Sequence, residues 1–291
     1  MSTVWITGAS GLLGSYLVRT SPKGIRVVGD RVDILSRPDI RAYLEKYKPT
    51  MIIHCAGDGR ADYVEQNPKW GTKINVEGTQ NLLVEAEQHK SHFVYISSNA
   101  VYDGEKPLYS ETSEQKPINQ YGKSKAEAES VALCYPKKLS IIRPIFLYGW
   151  IWPGRRQHAA NRILQNLEAG KEVEVADDIL TQPTYALDCA STIWKLAQKQ
   201  EDELAMFNIA PAERISLYDF ALRIAKAFGH PRELIKPVSA SKFTSLAKRP
   251  KDTSFDVAKL TRAGIVLEDS MHGLIRMRED RDAKDLGMLL Y

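Results

Sequence analysis

Short apolar runs alternate with amphipathic stretches through the first half of the chain. The runs TVWIT (3–7), IRVVG (25–29), TMIIHCAG (50–57), HFVYISS (92–98) and LSIIRPIFL (139–147) predict five buried strands. Between them GLLGSYLVRT (11–20), RPDIRAYLEKY (37–47), WGTKINVEGTQNLLVEAEQH (70–89) and the stretch from Tyr121 to Tyr135 carry helical spacing. Buried strands alternating with helices build βαβ units, so the fold class is α/β with a doubly wound parallel sheet.

The second half is less regular. AANRILQNLEAG predicts a helix ending at Gly170 and TQPTYALDCASTIWKLAQK a turn followed by a helix. AMFNIA (205–210) reads as a further strand, and SLYDFALRIAKAFG as a helix with Ser216 at its N-cap. The region from Pro231 to Ile265 is rich in Lys, Arg, Ser and Pro and predicts loops and short elements. The expected division is a nucleotide-binding domain from 1–145, rejoined by 184–210, and a smaller C-terminal substrate-binding domain from 146–183 and 211–291.

At 291 residues and 43% hydrophobic content the chain can bury a sizeable core. A net charge of +4 gives no reason to expect nucleic-acid binding. Cys55, Cys134 and Cys189 lie far apart without metal-type spacing, which predicts a reduced, cytoplasmic protein. The N-terminus has no basic region followed by an apolar run, and no run approaches the ~18 residues of a membrane span. Neither a signal peptide nor a membrane segment is expected.

TGASGLLG places Gly8, Gly11 and Gly14 between the first strand and the first helix. Gly8 permits the tight turn, Gly11 lets the backbone approach a pyrophosphate, and Gly14 lets the helix pack closely. Ser10, Leu12 and Leu13 join the same cradle, so the parallel sheet is expected to be of Rossmann type and to bind NAD or NADP. After the second strand, Asp30, Arg31 and Asp33 send a mixed message: an acid favours a free ribose hydroxyl, a base a 2′-phosphate. Asp33 and Ile34 are expected to flank the adenosine. Cys55, Ala56 and Gly57 at the end of the third strand, Ser97 at the end of the fourth and Pro144 at the end of the fifth complete the expected cofactor lining. His54 and the Cys55 thiol read otherwise as core.

Two Tyr-x-x-x-Lys pairs compete for a chemical role. Tyr102 and Lys106 are separated by Asp103-Gly104 and followed by Pro107, a turn that does not hold two side chains together. Tyr121 and Lys125 sit in YGKSKAEAESVA, where a helix makes i and i+4 neighbours. A tyrosine titrates near ~10, and an adjacent ammonium together with the positive ring of an oxidised nicotinamide would bring it toward neutral pH. Ser97 and Ser98 at the sheet rim offer a hydroxyl to steady a substrate oxygen.

YISSNAVYDG followed by NQYGKSKAEAE resembles the Ser/Thr-Tyr-Lys set of the extended short-chain dehydrogenases/reductases, with Ser98, Tyr121 and Lys125 in its three catalytic places. VDI, INVEGTQNL, RPIFLYG, QPTYALDCA and RPKDTSFDVAKL then occur in the order found in the dTDP-4-dehydrorhamnose reductase family, a resemblance that spans roughly residues 3–265. It implies reduction of a 4-keto nucleotide sugar, with NADPH favoured through Arg31 and NADH the other option. It also implies substrate contacts from Ser98, Asn99, Phe146, Tyr148, Gln182 and Arg249, and it admits a homodimer. Trp150, Trp152, Arg155, Arg156 and His158 are further candidates for the site wall.

Three departures from that family stand out. Asn99 replaces an Asp, Phe146 replaces a Trp, and Tyr16 occupies the place of an acid that holds a metal in some members, so no metal is expected. Other readings are an epimerase or dehydratase of the same superfamily, and a non-catalytic NADP-binding protein resembling the regulatory subunit of methionine adenosyltransferase.

Overall fold

The computed structural model describes residues 2–29, 31–151, 157–199 and 202–282. β1 (Ser2–Thr7), α1 (Leu12–Arg19), β2 (Ile25–Val28), α2 (Arg37–Tyr47) and β3 (Met51–His54) open the chain. Two short helices, α3 (Ala61–Gln66) and α4 (Pro68–Thr72), precede α5 (Gly78–Gln88), β4 (His92–Ile96), α6 (Gln120–Leu133) and β5 (Leu139–Pro144). Then come β6 (Leu147–Tyr148), α7 (Ala159–Glu168), β7 (Val173–Ala176), β8 (Leu180–Thr181), β9 (Thr184–Tyr185) and α8 (Ala186–Lys199). β10 (Leu204–Ile209), β11 (Ile215–Ser216), α9 (Leu217–Phe228), β12 (Ile235–Val238), α10 (Ala258–Arg262) and α11 (Ser270–Asp282) complete it.

Six strands form one sheet in the order β10-β5-β4-β3-β1-β2, every pair parallel. This is the doubly wound, Rossmann-type sheet that the alternation of apolar runs predicts. Strand periodicity sends alternate side chains to opposite faces. Val4, Ile6, Ile53, Val94 and Ile142 pack with Leu13 and Leu17 of α1 and Ile193 and Trp194 of α8. Trp5, Ile52, Phe93, Tyr95 and Ile141 pack on the other side with Ile40, Leu44, Leu82 and Ala128. The order reverses beside β1: β2 lies on one side and β3 on the other, which opens a crevice at the carboxyl ends of β1 and β3.

Outside the sheet, β7 pairs with β12, β8 with β11 and β6 with β9. Ser216 caps α9 by accepting the Asp219 N–H, and Gly229 ends it in the left-handed region.

Three elements differ from the sequence pattern. The long helix expected over 70–89 runs continuously from 68 to 88 but widens into a π turn, Lys73–Glu77, with Asn75 buried in it. Its amide accepts the Asp58 N–H at 2.8 Å and donates to the Asp58 carbonyl and Ser124 Oγ. The fifth strand stops at Pro144 because Phe146, at φ 39°, redirects the chain into β6. Helix α11 gives no clear periodic signal, with Leu274 and Met277 its buried apolar anchors; Asp280 near its end accepts from Arg19 and Tyr185.

A buried ion pair fastens α6 to β5. Arg143 and Glu129 meet through Nε–Oε1 at 2.9 Å and Nη2–Oε2 at 2.5 Å, with both side chains at most 3% exposed. Removing one partner strands the other charge, so Glu129→Ala should cost about 3–5 kcal/mol in urea unfolding. The double change Glu129→Leu, Arg143→Met should be markedly milder; equal losses in the two variants would contradict the stranded-charge account.

Candidate active site

The turn between β1 and α1 is built for close approach. Gly8 has φ 67°, and a Cβ there would fall 2.7 Å from the Ala56 nitrogen. A Cβ on Gly14 would collide with the Gly8 carbonyl, so the helix packs on the loop only without one. Gly11 caps α1 with no side-chain hydrogen bond, and Leu12, Leu13 and Gly14 of the first turn line the crevice, where free helix N–H groups suit an anion.

A cavity of about 1020 Å³ runs from this turn along the strand ends. Gly8, Ser10, Gly11, Leu12, Leu13, Gly14, Asp33, Ile34, Cys55, Ala56, Gly57, Ser97, Ser98, Asn99, Tyr121, Lys125, Pro144 and Phe146 all line it. Ser97 Oγ is buried with no hydrogen-bond partner, a polar group open to a bound molecule. Size, glycine cradle and orphan hydroxyl together fit a dinucleotide. Arg31 is exposed and stands outside the lining, two residues before Asp33. Asp30, Trp152, Arg155 and Arg156 lie outside the described residues.

Tyr121 stands in the first turn of α6, whose N-cap Asn119 accepts the Gly122 N–H at 2.8 Å. Lys125 follows one turn later and is buried. Its ammonium donates to the Ile96 carbonyl at 2.6 Å and lies 4.2 Å from the centre of the Tyr95 ring. Burial pulls its pKa down to about 8, against the pull of Glu129. The Tyr121 phenol is not lowered: burial raises it above its ordinary value, a hydrogen bond with Ser98 opposes this, and Asp58 adds to it. The helix therefore brings the pair together as its spacing predicts. The Lys125 ammonium is bonded to the β4 carbonyl, and burial prevails on the phenol. Ser98 Oγ accepts the Ala100 N–H at 3.2 Å and donates to Asn99 Oδ1 at 3.3 Å.

Tyr102 is elsewhere. It is fully buried, stacked on Tyr109 at 4.3 Å, accepting from Arg143 at 2.7 Å and donating to the Ser110 carbonyl. His54 is core, its ring held by Thr7 at 2.7 Å and Thr79 at 3.1 Å, with its pKa lowered by burial to about 3. The Cys55 thiol faces the cavity, yet burial pushes it up to about 12, so it is no nucleophile at neutral pH.

A second cavity of about 760 Å³ shares Phe146, Ala159 and Arg162 with the first. Lys248, Arg249 and Lys251 line it, with Arg249 held by Asp62 at 2.8 Å. Two expected substrate contacts do not reach either cavity. Tyr148 is 1% exposed and gives its hydroxyl to the Ser270 carbonyl. Gln182 is also 1% exposed, and its amide is consumed by the backbone of Pro211 and Phe255. Trp150 packs against α11, donating to the Met277 carbonyl, while His158 lines the first cavity. Tyr16 is buried and accepts the Trp150 N–H at 2.9 Å.

Sequence reasoning missed a group after β3. Asp58 grips the Arg60 guanidinium and accepts Trp70 Nε1 at 3.0 Å; all three line the first cavity. Burial works against the Asp58 charge, but the bonds from Arg60 and Trp70 outweigh it and hold the carboxyl below its ordinary value. Gly59 lies between them, where a Cβ would be 4.0 Å from the Tyr121 hydroxyl. The signal was the polar run DGR at the carboxyl end of a strand, the rim where such sheets bind ligands.

The profile of the RmlD substrate binding domain matches residues 1–280. The chain is 30% identical over 278 residues to methionine adenosyltransferase 2 subunit beta of Bos taurus, covering 90% of this chain and 82% of that protein. It is 28% identical over 297 residues to dTDP-4-dehydrorhamnose reductase of Aggregatibacter actinomycetemcomitans, covering 96% and 99%. A crystal structure of dTDP-4-dehydrorhamnose reductase from Bacillus anthracis in complex with NADP superposes with a TM-score of 0.90 at 27% identity, covering 96% of this chain and 100% of that one.

The buried ammonium sets a pH signature for the protein without cofactor. Lys125 titrates near 8 when folded and near 10.5 when unfolded, so the unfolded state holds the extra proton between those values. Stability from this group therefore rises with pH across that window, and the burial penalty is fully present below pH 8. Lysine side-chain NMR should show one titration near pH 8 that Lys125→Met removes. A Lys125 midpoint at 10 or above would contradict the burial argument.

Proposed function

The chain belongs to the RmlD substrate binding domain family, and we propose that it is an NADPH-dependent reductase of a 4-keto nucleotide sugar, of the dTDP-4-dehydrorhamnose reductase type. The observation that carries this is the convergence of Ser98, Tyr121 and Lys125 on the cavity that the glycine turn opens. When bound, the nicotinamide cofactor supplies the hydride. Tyr121 gives its proton to the oxygen of the reduced carbonyl. Ser98, whose proton rests on Asn99 Oδ1, turns it to the same oxygen. Lys125 holds the nicotinamide ribose, exchanging its bond to the Ile96 carbonyl for bonds to the sugar. Gly8, Gly11 and Gly14 take the pyrophosphate, and Asp33 and Ile34 take the adenosine ribose.

Arg31 and the NADP-bound reductase of Bacillus anthracis favour NADPH over NADH. The second cavity is assigned to the nucleotide sugar, with Arg249 and its neighbouring lysines for the diphosphate. Residues 1–145 with 184–210 are then the cofactor-binding part, and 146–183 with 211–291 the substrate-binding part. Among the described residues no helix is long and apolar enough to cross a membrane. The three unpaired cysteines accord with a reducing, cytoplasmic setting, and a homodimer belongs to the same reading.

The likeness to methionine adenosyltransferase 2 subunit beta favours a second reading, a cofactor-binding regulatory subunit. Turnover separates the two. NADPH oxidation with dTDP-4-dehydrorhamnose should be measurable, and Tyr121→Phe should lower kcat by about 10²- to 10⁴-fold while cofactor affinity by calorimetry stays unchanged. Tyr102→Phe should lower stability more than kcat, since its hydroxyl serves Arg143 and Ser110. No turnover of any keto sugar by a folded, NADPH-bound protein would move the regulatory reading ahead.

A further inference from the structure

Residues 245–253 cross the second cavity as a strap, with Ser245, Ala247, Lys248, Arg249 and Lys251 on its lining. From 241 to 250 only Ala247 is buried, so few apolar contacts hold this segment down. Its attachment is polar, and three of its bonds converge on one carboxylate. Asp62 on α3 accepts Ser245 Oγ at 3.0 Å, the Ala247 N–H at 3.1 Å and Arg249 Nη2 at 2.8 Å.

The same helix also holds the start of α6. Glu65, one turn after Asp62, accepts the Gln120 N–H at 2.8 Å. Asn119, the cap of α6, donates to the Lys248 carbonyl at 2.9 Å, and Asn99, next to Ser98, donates to Thr253 Oγ1 at 2.6 Å. The far end of the strap is fixed by the Leu180 N–H on the Lys251 carbonyl and by Arg214 on Asp252, while its other anchors lie beside groups of the reaction: α3 follows Asp58 and Arg60, Asn119 precedes Tyr121, and Asn99 follows Ser98.

We propose that Asp62 is a positioning residue that seats the 245–253 strap on a nucleotide diphosphate in the second cavity, in register with the helix carrying Tyr121. Asp62 touches neither cavity and takes no part in proton transfer. Its three acceptor bonds set where Arg249 stands. An ion pair this exposed, 41% for Arg249 and 45% for Asp62, adds little to global stability. Loss of Asp62 should therefore free the strap locally rather than unfold the protein.

The inference rests on the reductase reading for its kinetic arm, and trypsin supplies an arm that does not. Cleavage after Lys248, followed by mass spectrometry, should be about tenfold faster in Asp62→Asn than in wild type, as expected for loss of charged hydrogen bonds. It should be partly restored in Asp62→Glu. Added dTDP should slow cleavage of the wild type and protect Asp62→Asn less. In turnover, Asp62→Asn should raise KM for dTDP-4-dehydrorhamnose about tenfold with a smaller change in kcat and an unchanged NADPH affinity. Ser245→Ala, which removes one donor and leaves the carboxylate, should move the same readouts in the same direction and serves if Asp62→Asn is unstable. Equal cleavage of wild type and variants, no protection by dTDP, or an unchanged KM would each overturn the proposal. A wild type that reduces no keto sugar would sink the reductase reading and leave the dTDP protection arm to decide the strap.

Discussion

A parallel sheet must be covered on both faces, and that requirement organises this protein. Alternate side chains of β1, β3, β4 and β5 feed two separate cores, one under α1 and α8 and one under α2, α5 and α6. With both faces closed, the strand ends are the one place left for chemistry. The glycine turn, Ser98 and the DGR segment all lie at carboxyl ends, and α6 brings Tyr121 and Lys125 across to meet them.

Burial then decides the electrostatics. The neighbour effect expected within the Tyr121 and Lys125 pair is real chemistry, but here it loses to desolvation. An ammonium with a carbonyl to bind and an aromatic face to rest on has no need of a phenolate, and a phenol beside Asp58 has reason to keep its proton. Burial thus favours the protonated form of Tyr121.

The sequence was most legible where a residue's role depends on its near neighbours. The glycine turn needs only its own spacing and a preceding strand, and that Tyr121 rather than Tyr102 lines the crevice needs only helix against turn. It was least legible where the partner is far away in the chain. Tyr148 and Gln182 looked like site residues from their motifs, yet their polar atoms are consumed by Ser270, Pro211 and Phe255. Asp62 looked like one charge on a short helix, and its partners lie over 180 residues away. The π turn at Asn75 had no local signature either, since its cause is the Asp58 backbone that Asn75 satisfies.

Phe146 separates the two cavities and holds a backbone conformation, φ 39°, that suits glycine better than phenylalanine. Such a residue costs of order 1–3 kcal/mol in strain. Phe146→Gly would release that strain and still lose more than it gained, because the ring packs edge-on against Phe220 and lies on two of the apolar cores. The passage from β5 into β6, which both cavities share, is thus held by the packing of a ring rather than by what the backbone prefers.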